Sequence, residues 1–327
     1  MTNLATFLLI AITTSAGCAT VPAHAQGRLF GIGSRTMGGR FTWSDEVIYN
    51  DWRIQKSAIV GHYRLIDPKD RRVTFGSFET CENKFYEILR DGDIPELPKH
   101  VVIVLHGLGA GRQYMQGLAD HLTEQGNFAT VNFGYPSTMG KIEEHSDSLA
   151  SVIRHLNGVE SIDFVAHSMG NIVVRHYLHD IAQLPEEQRP KVKFRRMVMI
   201  SPPNHGAGMA TSWADSKLAQ MAAGEPLDQL APDRGWPDLE KQLATPGFEF
   251  GIIAGGTGND EGYLSSIPGD DDALLSLETT KLSGAADFVQ VKGLHQLMSR
   301  YKSVRGFTLS FLQNGYFDTL ETVEPID

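Results

Sequence analysis

Small residues stand two before and two after a serine in Ala166-His167-Ser168-Met169-Gly170, within a chain of 327 residues. The stretch closes an apolar run, Ile162 to Ala166, and leads straight into helical spacing from Met169. Strand, sharp turn and helix in that order present a serine hydroxyl above a sheet at a helix N-terminus, and bulk at the flanking positions would strike neighbouring backbone. A hydroxyl is a weak nucleophile until a base takes its proton, and that base is usually a histidine oriented by a carboxylate. Of the twelve histidines only His205 and His295 follow the serine-bearing helix. His295 comes after the last apolar run, where the base belongs in the order serine, acid, histidine. The acid should leave the preceding strand, whose loop offers Asp260, Asp270, Asp271 and Asp272. A glycine turn, Leu105-His106-Gly107-Leu108-Gly109, follows an earlier run, so the amides of Leu108 and Met169 are the expected oxyanion donors. No Lys-Ser or Lys-Thr follows Gly111, which excludes a phosphate loop.

These groups need a scaffold, and the sequence supplies one. Short β-branched apolar runs recur at Val101 to Leu105, Phe128 to Phe133, Ile162 to Ala166, Met197 to Ile200, Phe248 to Ala254 and Phe288 to Val291. Continuous apolarity, not alternation, predicts strands buried on both faces of a mostly parallel sheet. Helical spacing at Arg112 to Glu124, Lys141 to Leu156, Met169 to Ala182 and Arg300 to Leu312 predicts helices on both faces. The reading is therefore an α/β domain over 99–327 with an insertion at 204–247. That insertion carries Met209, Trp213, Leu218, Met221, Leu227 and Trp236, which could line or cover a site. Residues 26–98 read as a β-rich N-terminal extension on the sheet edge, with strands at Val47 to Ile54, Ser57 to Tyr63 and Arg71 to Phe78.

Taken together, the motifs resemble α/β-hydrolases of the bacterial serine lipase and esterase type. The residues that carry the resemblance are Leu105-His106-Gly107-Leu108, the serine elbow, Ser201-Pro202-Pro203-Asn204-His205-Gly206, Pro268-Gly269-Asp270-Asp271-Asp272 with Glu278-Thr279-Thr280-Lys281-Leu282, and Leu294-His295. The resemblance spans residues 98 to 313. It implies the α/β-hydrolase fold, Ser168 as nucleophile, His295 as base, an aspartate of the 270–272 run as orienter, and no cofactor. The family pattern sets the acid just before a small residue, which selects Asp272. Ala166 stands for the first glycine of the usual elbow, and Ala273 stands where relatives often have glycine after the acid. Around this centre His106, Gly107, His167 and Trp213 are the expected substrate contacts. The expected activity is cleavage of carboxylic or lipid esters through an acyl-enzyme. Acyl transfer or amide cleavage by the same triad, and a noncatalytic binding protein on the same fold, are the alternatives.

Composition excludes other classes. With 29 Lys and Arg against 39 Asp and Glu, the net charge of −10 has the wrong sign for nucleic-acid binding. The apolar run from Leu4 to Ala16 is too short to span a bilayer and reads as a signal peptide within residues 1–25. Its exit fits either cleavage after Ala23-His24-Ala25 or lipid attachment at Cys18, which predicts an exported, periplasmic or envelope protein with possible membrane association through the lipid. Either route leaves Cys81 alone, so no disulfide is expected. His176 and His179 form a helix-surface pair, and no metal site is expected.

Overall fold

The computed structural model describes residues 41–92, 94–209, 217–318 and 326. The signal and lipid-attachment readings, including Cys18, lie outside them, as does Trp213.

Among the described residues the strands form two sheets. The larger has six parallel strands, β5 (His100–Leu105), β6 (Ala129–Phe133), β7 (Ser161–His167), β8 (Lys193–Ile200), β9 (Glu249–Gly256) and β10 (Asp287–Lys292), in the order β10-β9-β8-β7-β5-β6. All six predicted strands are present because each apolar run meets helices on both sides. Val101, Ile103 and Leu105 face one way with Phe164 and Met199, under α3 (Ile142–Arg154) and α4 (Met169–Gln183). Val102 and Val104 face the other with Val165 and Ile253, under α2 (Arg112–Gly126) and α6 (Lys302–Asn314). Leu105 pairs with Ala166 and His167 with Ile200, so the C-terminal ends of β5, β7 and β8 stand side by side.

The N-terminal extension is an antiparallel meander, β1 (Trp43–Tyr49), β2 (Trp52–Ser57), β3 (Tyr63–Ile66) and β4 (Arg72–Gly76), packed on α1 (Phe78–Asp91) around Val47, Ile54, Leu65, Cys81 and Phe85. Cys81 is a buried free thiol, pushed up to about 11 by burial. Three expectations change here. The run Val47 to Ile54 is not one strand, because Asn50 and Asp51 take φ of 47° and 63° and turn it into a two-residue hairpin. Ser57 to Tyr63 is the β2–β3 turn, not a strand, and leaves Ile59 and Val60 exposed. The helix α1 went unread, although Ser77 caps it by accepting from the Thr80 N–H at 3.1 Å and Phe78, Cys81, Phe85, Ile88 and Leu89 repeat at helical spacing.

The meander sits against β6, the sheet edge, through buried charge. Asp45 accepts from Arg53, from Gln55 Nε2 at 2.7 Å and from the Gly134 N–H at 2.7 Å, and Arg53 also donates to the Asn132 carbonyl at 3.0 Å. Arg53 is 1% exposed. Asp45→Ala removes the buried carboxylate from that cation and leaves it only the exposed Asp51 at 3.3 Å and the Asn132 carbonyl, so the unfolding free energy should fall by about 3 kcal/mol. Urea denaturation checks this, and a change below about 1 kcal/mol would contradict it.

The insertion contains α5 (Lys217–Leu230) and a single helical turn at Trp236–Leu239. Leu227, Leu230 and Trp236 belong to the core on the α3–α4 face. They hold the insertion down on that face.

Candidate active site

Ser168 is forced into an unusual backbone conformation, φ 54° and ψ −129°, between β7 and α4. Its N–H donates to the Ile200 carbonyl at 2.9 Å, and its own carbonyl accepts from Asn171 Nδ2 at 2.9 Å, which fixes the turn from both sides. The small neighbours are a packing requirement. A Cβ on Gly170 would stand 2.7 Å from the His106 carbonyl oxygen, and one on Gly107 would stand 2.7 Å from the Ser168 Cβ. Asn171 was not singled out in the sequence, and only its place three residues after the serine hints at it.

His295 opens a 3₁₀ turn after β10. Its Nδ1–H donates to Asp272 Oδ2 at 2.7 Å, which leaves Nε2 bare to accept from the Ser168 hydroxyl at 2.9 Å. A second tie holds the pair together, the His295 N–H donating to the Asp272 carbonyl at 2.8 Å. Asp272 Oδ1 accepts from the Leu274 and Leu275 amides at 3.1 and 2.8 Å, so the carboxylate is immobilised by its own loop. Ser168, His295 and Asp272 are 8, 3 and 0% exposed, so the hydrogen bonds run through a site largely closed to water.

The other carboxylates of the loop do different work. Asp270 accepts from Thr257 N–H and Oγ1, Gly258 N–H and Gln290, and these bonds hold its carboxyl below the ordinary range against the opposing effect of desolvation. Asp271 accepts from the Leu264 and Ala273 amides. Asp260 is exposed in the turn after β9. His205, the second histidine after the elbow, is 52% exposed by side chain and lies 3.9 Å from Glu240. Ala273 takes φ 72°, a strained value for a residue with a Cβ.

Leu108 follows the glycine that approaches Ser168, and Met169 is the first residue of α4. Among the described residues neither amide donates to a protein acceptor. His106 is fully buried and stacked on Tyr135 at 4.2 Å. Its Nδ1–H donates to the Gly107 carbonyl at 3.0 Å, and its Nε2 accepts from the Tyr135 amide at 3.4 Å. Its ring shapes the loop, so the expected substrate contact at His106 is corrected to a structural one. His167 donates from Nε2 to the His295 carbonyl at 3.0 Å, while its Nδ1 is buried without a partner. Among the described residues no group of three or more His, Cys, Asp or Glu is placed to hold a metal ion.

Two buried histidines near this centre make the fold acid-sensitive. Desolvation takes His145 down to about 3, and it takes His167 well below the ordinary value of 6.5, with His295 adding to the effect. The unfolded chain binds these protons below pH 6.5 and the folded chain does not. Their stabilisation is therefore complete above pH 6.5 and is lost as pH falls below it, for His145 down to about 3. Stability should drop by about 1.4 kcal/mol per pH unit for each histidine in that window. His145→Gln should remove one histidine's share of the slope in urea midpoints measured from pH 7.5 to 4.5. An unchanged slope would count against a neutral, buried His145.

Residues 95–213, which include the first glycine turn and the serine elbow, match the family model described as "Putative serine esterase (DUF676)". No curated protein matches the chain. Among solved structures, a Listeria innocua gene product is 18% identical over 70% of this chain and 99% of its own, with a TM-score of 0.49. The mature Bacillus licheniformis lipase is 17% identical over 69% of this chain and 95% of its own, also at 0.49. A metagenomic carboxyl esterase is 15% identical over 62% of this chain and 68% of its own, at 0.47. Over residues 95–213, which carry the first glycine turn and the strained serine between strand and helix, the chain is similar to the serine esterases that this family model describes.

Proposed function

We propose that the protein hydrolyses carboxylic esters through an acyl-enzyme on Ser168. The observation that carries this reading is the continuous hydrogen-bonded line from Asp272 through His295 to Ser168 Oγ, at 2.7 and 2.9 Å. In the first half-reaction His295 Nε2 takes the hydroxyl proton as Oγ attacks the ester carbonyl carbon. The imidazolium formed is stabilised by Asp272, and the amides of Leu108 and Met169 receive the oxyanion. His295 then returns the proton to the leaving alcohol. In the second half-reaction water attacks the acyl-serine with the same histidine as base, releasing the acid and restoring Ser168.

Gly107 serves this chemistry by its lack of a side chain, since a Cβ there would collide with Ser168. His167 is a positioning residue, because its Nε2–H holds the backbone of the base. The reading extends to an exported enzyme, processed after Ala25 or lipidated at Cys18, which the mass of the mature N-terminus checks. A fluorophosphonate probe tests the function: peptide mapping should find the adduct on Ser168, and the labelled enzyme should no longer turn over p-nitrophenyl esters. A chain that resists the probe while folded would overturn the proposal.

A further inference from the structure

The Leu108 N–H is one end of a peptide unit whose other end is tied down. It shares a plane with the Gly107 carbonyl and points away from it. That carbonyl accepts from His106 Nδ1–H at 3.0 Å and from the Ala110 N–H at 3.3 Å, so these two bonds set where the Leu108 N–H is aimed. The His106 peptide is gripped as well. Its carbonyl accepts from the Tyr135 hydroxyl and passes against Gly170 of the serine elbow. Burial pushes the Tyr135 phenol far above its ordinary range, so the hydroxyl keeps its proton and donates. Tyr135 also sets the histidine. Its ring stacks on His106 at 4.2 Å and its N–H donates to Nε2 at 3.4 Å, which leaves the imidazole proton on Nδ1.

Tyr135 does not stand on the parallel sheet alone. Gly134, the residue before it, is held by the meander twice: the Asp45 N–H donates to the Gly134 carbonyl at 2.9 Å, and Asp45 Oδ2 accepts from the Gly134 N–H at 2.7 Å. The far end of the glycine turn meets the same body. Gly111 stands at the N-cap of α2, and Arg112, the first residue of that helix, pairs with Asp70 in the β3–β4 turn. The turn is built to present Asp70, which takes φ 57° while its N–H donates to the Asp67 carbonyl at 2.9 Å. A loop fixed at entry and exit by one sheet keeps its place only as well as that sheet does, and about 1 Å of misplacement in a reacting site can cost about 100-fold in rate.

We propose that the N-terminal meander positions the oxyanion loop, residues 106–111, by holding it at both ends, with Tyr135 and Asp70 as positioning residues for the Leu108 N–H. The inference rests on the esterase reading, in which that amide receives the oxyanion. Neither side chain touches the substrate in this role. Tyr135 acts through His106 and the Gly107 carbonyl, and Asp70 acts through Arg112 and the start of α2.

Tyr135→Phe and Asp70→Gly test the two ends in the full chain. Phenylalanine keeps the ring on His106, and glycine takes a φ of 57° without strain, so both variants should fold. Fluorophosphonate labelling run to completion counts the folded sites, and kcat is taken per labelled site. With a p-nitrophenyl ester it should fall about 30-fold in Tyr135→Phe and about tenfold in Asp70→Gly, with KM within about twofold, because a misaimed donor is missed in the transition state. A trifluoromethyl ketone, whose adduct on Ser168 carries an oxyanion, should lose affinity by the same factors. Asp70→Asn still offers Arg112 an oxygen and should recover most of the loss. Hydrogen exchange reads the loop without turnover. The Ala110 and Tyr114 amides, bonded to the Gly107 and Gly111 carbonyls, should exchange about tenfold faster in both variants while β8 and β9 keep their protection. Unchanged exchange, or faster exchange with kcat per site unaltered, would overturn the proposal. A wild-type chain that takes neither ester nor probe would instead refute the esterase reading, and exchange would still decide whether the meander holds the loop.

Discussion

Ser168→Ala should lower kcat for a p-nitrophenyl ester by about 10⁶-fold, the scale on which loss of a catalytic serine removes the covalent route. The fold should scarcely notice. The Ser168 hydroxyl has its hydrogen bond with His295 Nε2, whereas the turn is held by the Ser168 N–H to Ile200 and by Asn171 on the Ser168 carbonyl. Alanine keeps both backbone bonds and inherits the same φ of 54°, so the strain of the elbow stays where it was. Gly107 and Gly170 would still pass against the turn, because neither close approach involves Oγ. Residual rate over water, about 10³-fold or more, should come from substrate binding and the oxyanion donors. Kinetics with the urea midpoint measured in parallel decide the matter. Turnover above about 1% of wild type in a folded variant would remove Ser168 from the nucleophile's role.

The parts of this architecture that the sequence made legible are those where one physical cause dominates. A strand buried on both faces must be apolar throughout, and β5 to β10 were readable for that reason. The elbow was readable because packing forbids bulk at Gly170, and His295 because few histidines follow the serine. The meander was misread where that cause fails. Ile59 and Val60 look like a strand since apolar β-branched residues usually seek burial, yet they stand at a turn in solvent. Val47 to Ile54 looked continuous because Asn50 and Asp51 bend it at positive φ without interrupting the apolar pattern around them. His106 suggested a substrate contact from its place in the loop, and only tertiary packing against Tyr135 reveals that its ring faces inward. The choice of Asp272 among four aspartates rested on the family resemblance and not on composition or spacing. Which carboxylate reaches His295 depends on the path of the loop after Gly256, and composition does not encode that path.

That choice carries the second large effect. Asp272→Asn should lower kcat by about 10⁴-fold with little change in stability. The asparagine Oδ1 can still accept from the Leu274 and Leu275 amides, so the loop keeps the bonds that shape it. What changes is the group facing the imidazole. Asp272 Oδ2 now accepts from Nδ1–H and so holds the tautomer in which Nε2 is bare toward Ser168. An amide nitrogen in that place donates, drawing the imidazole into the opposite tautomer. Nε2–H then points at the serine oxygen and no longer takes its proton. The charge that would stabilise the imidazolium is also gone, so the defect should persist at every pH where the enzyme is folded. Asp270→Asn separates this from a general loss of loop structure. Asp270 is engaged by Thr257, Gly258 and Gln290, and its replacement should lower the urea midpoint while kcat of the folded fraction stays within a few-fold of wild type. Asp260, exposed in its turn, should be replaceable by asparagine with neither effect. A crippled Asp260→Asn beside an active Asp272→Asn would place the orienting carboxylate elsewhere, against the 2.7 Å bond that now marks it.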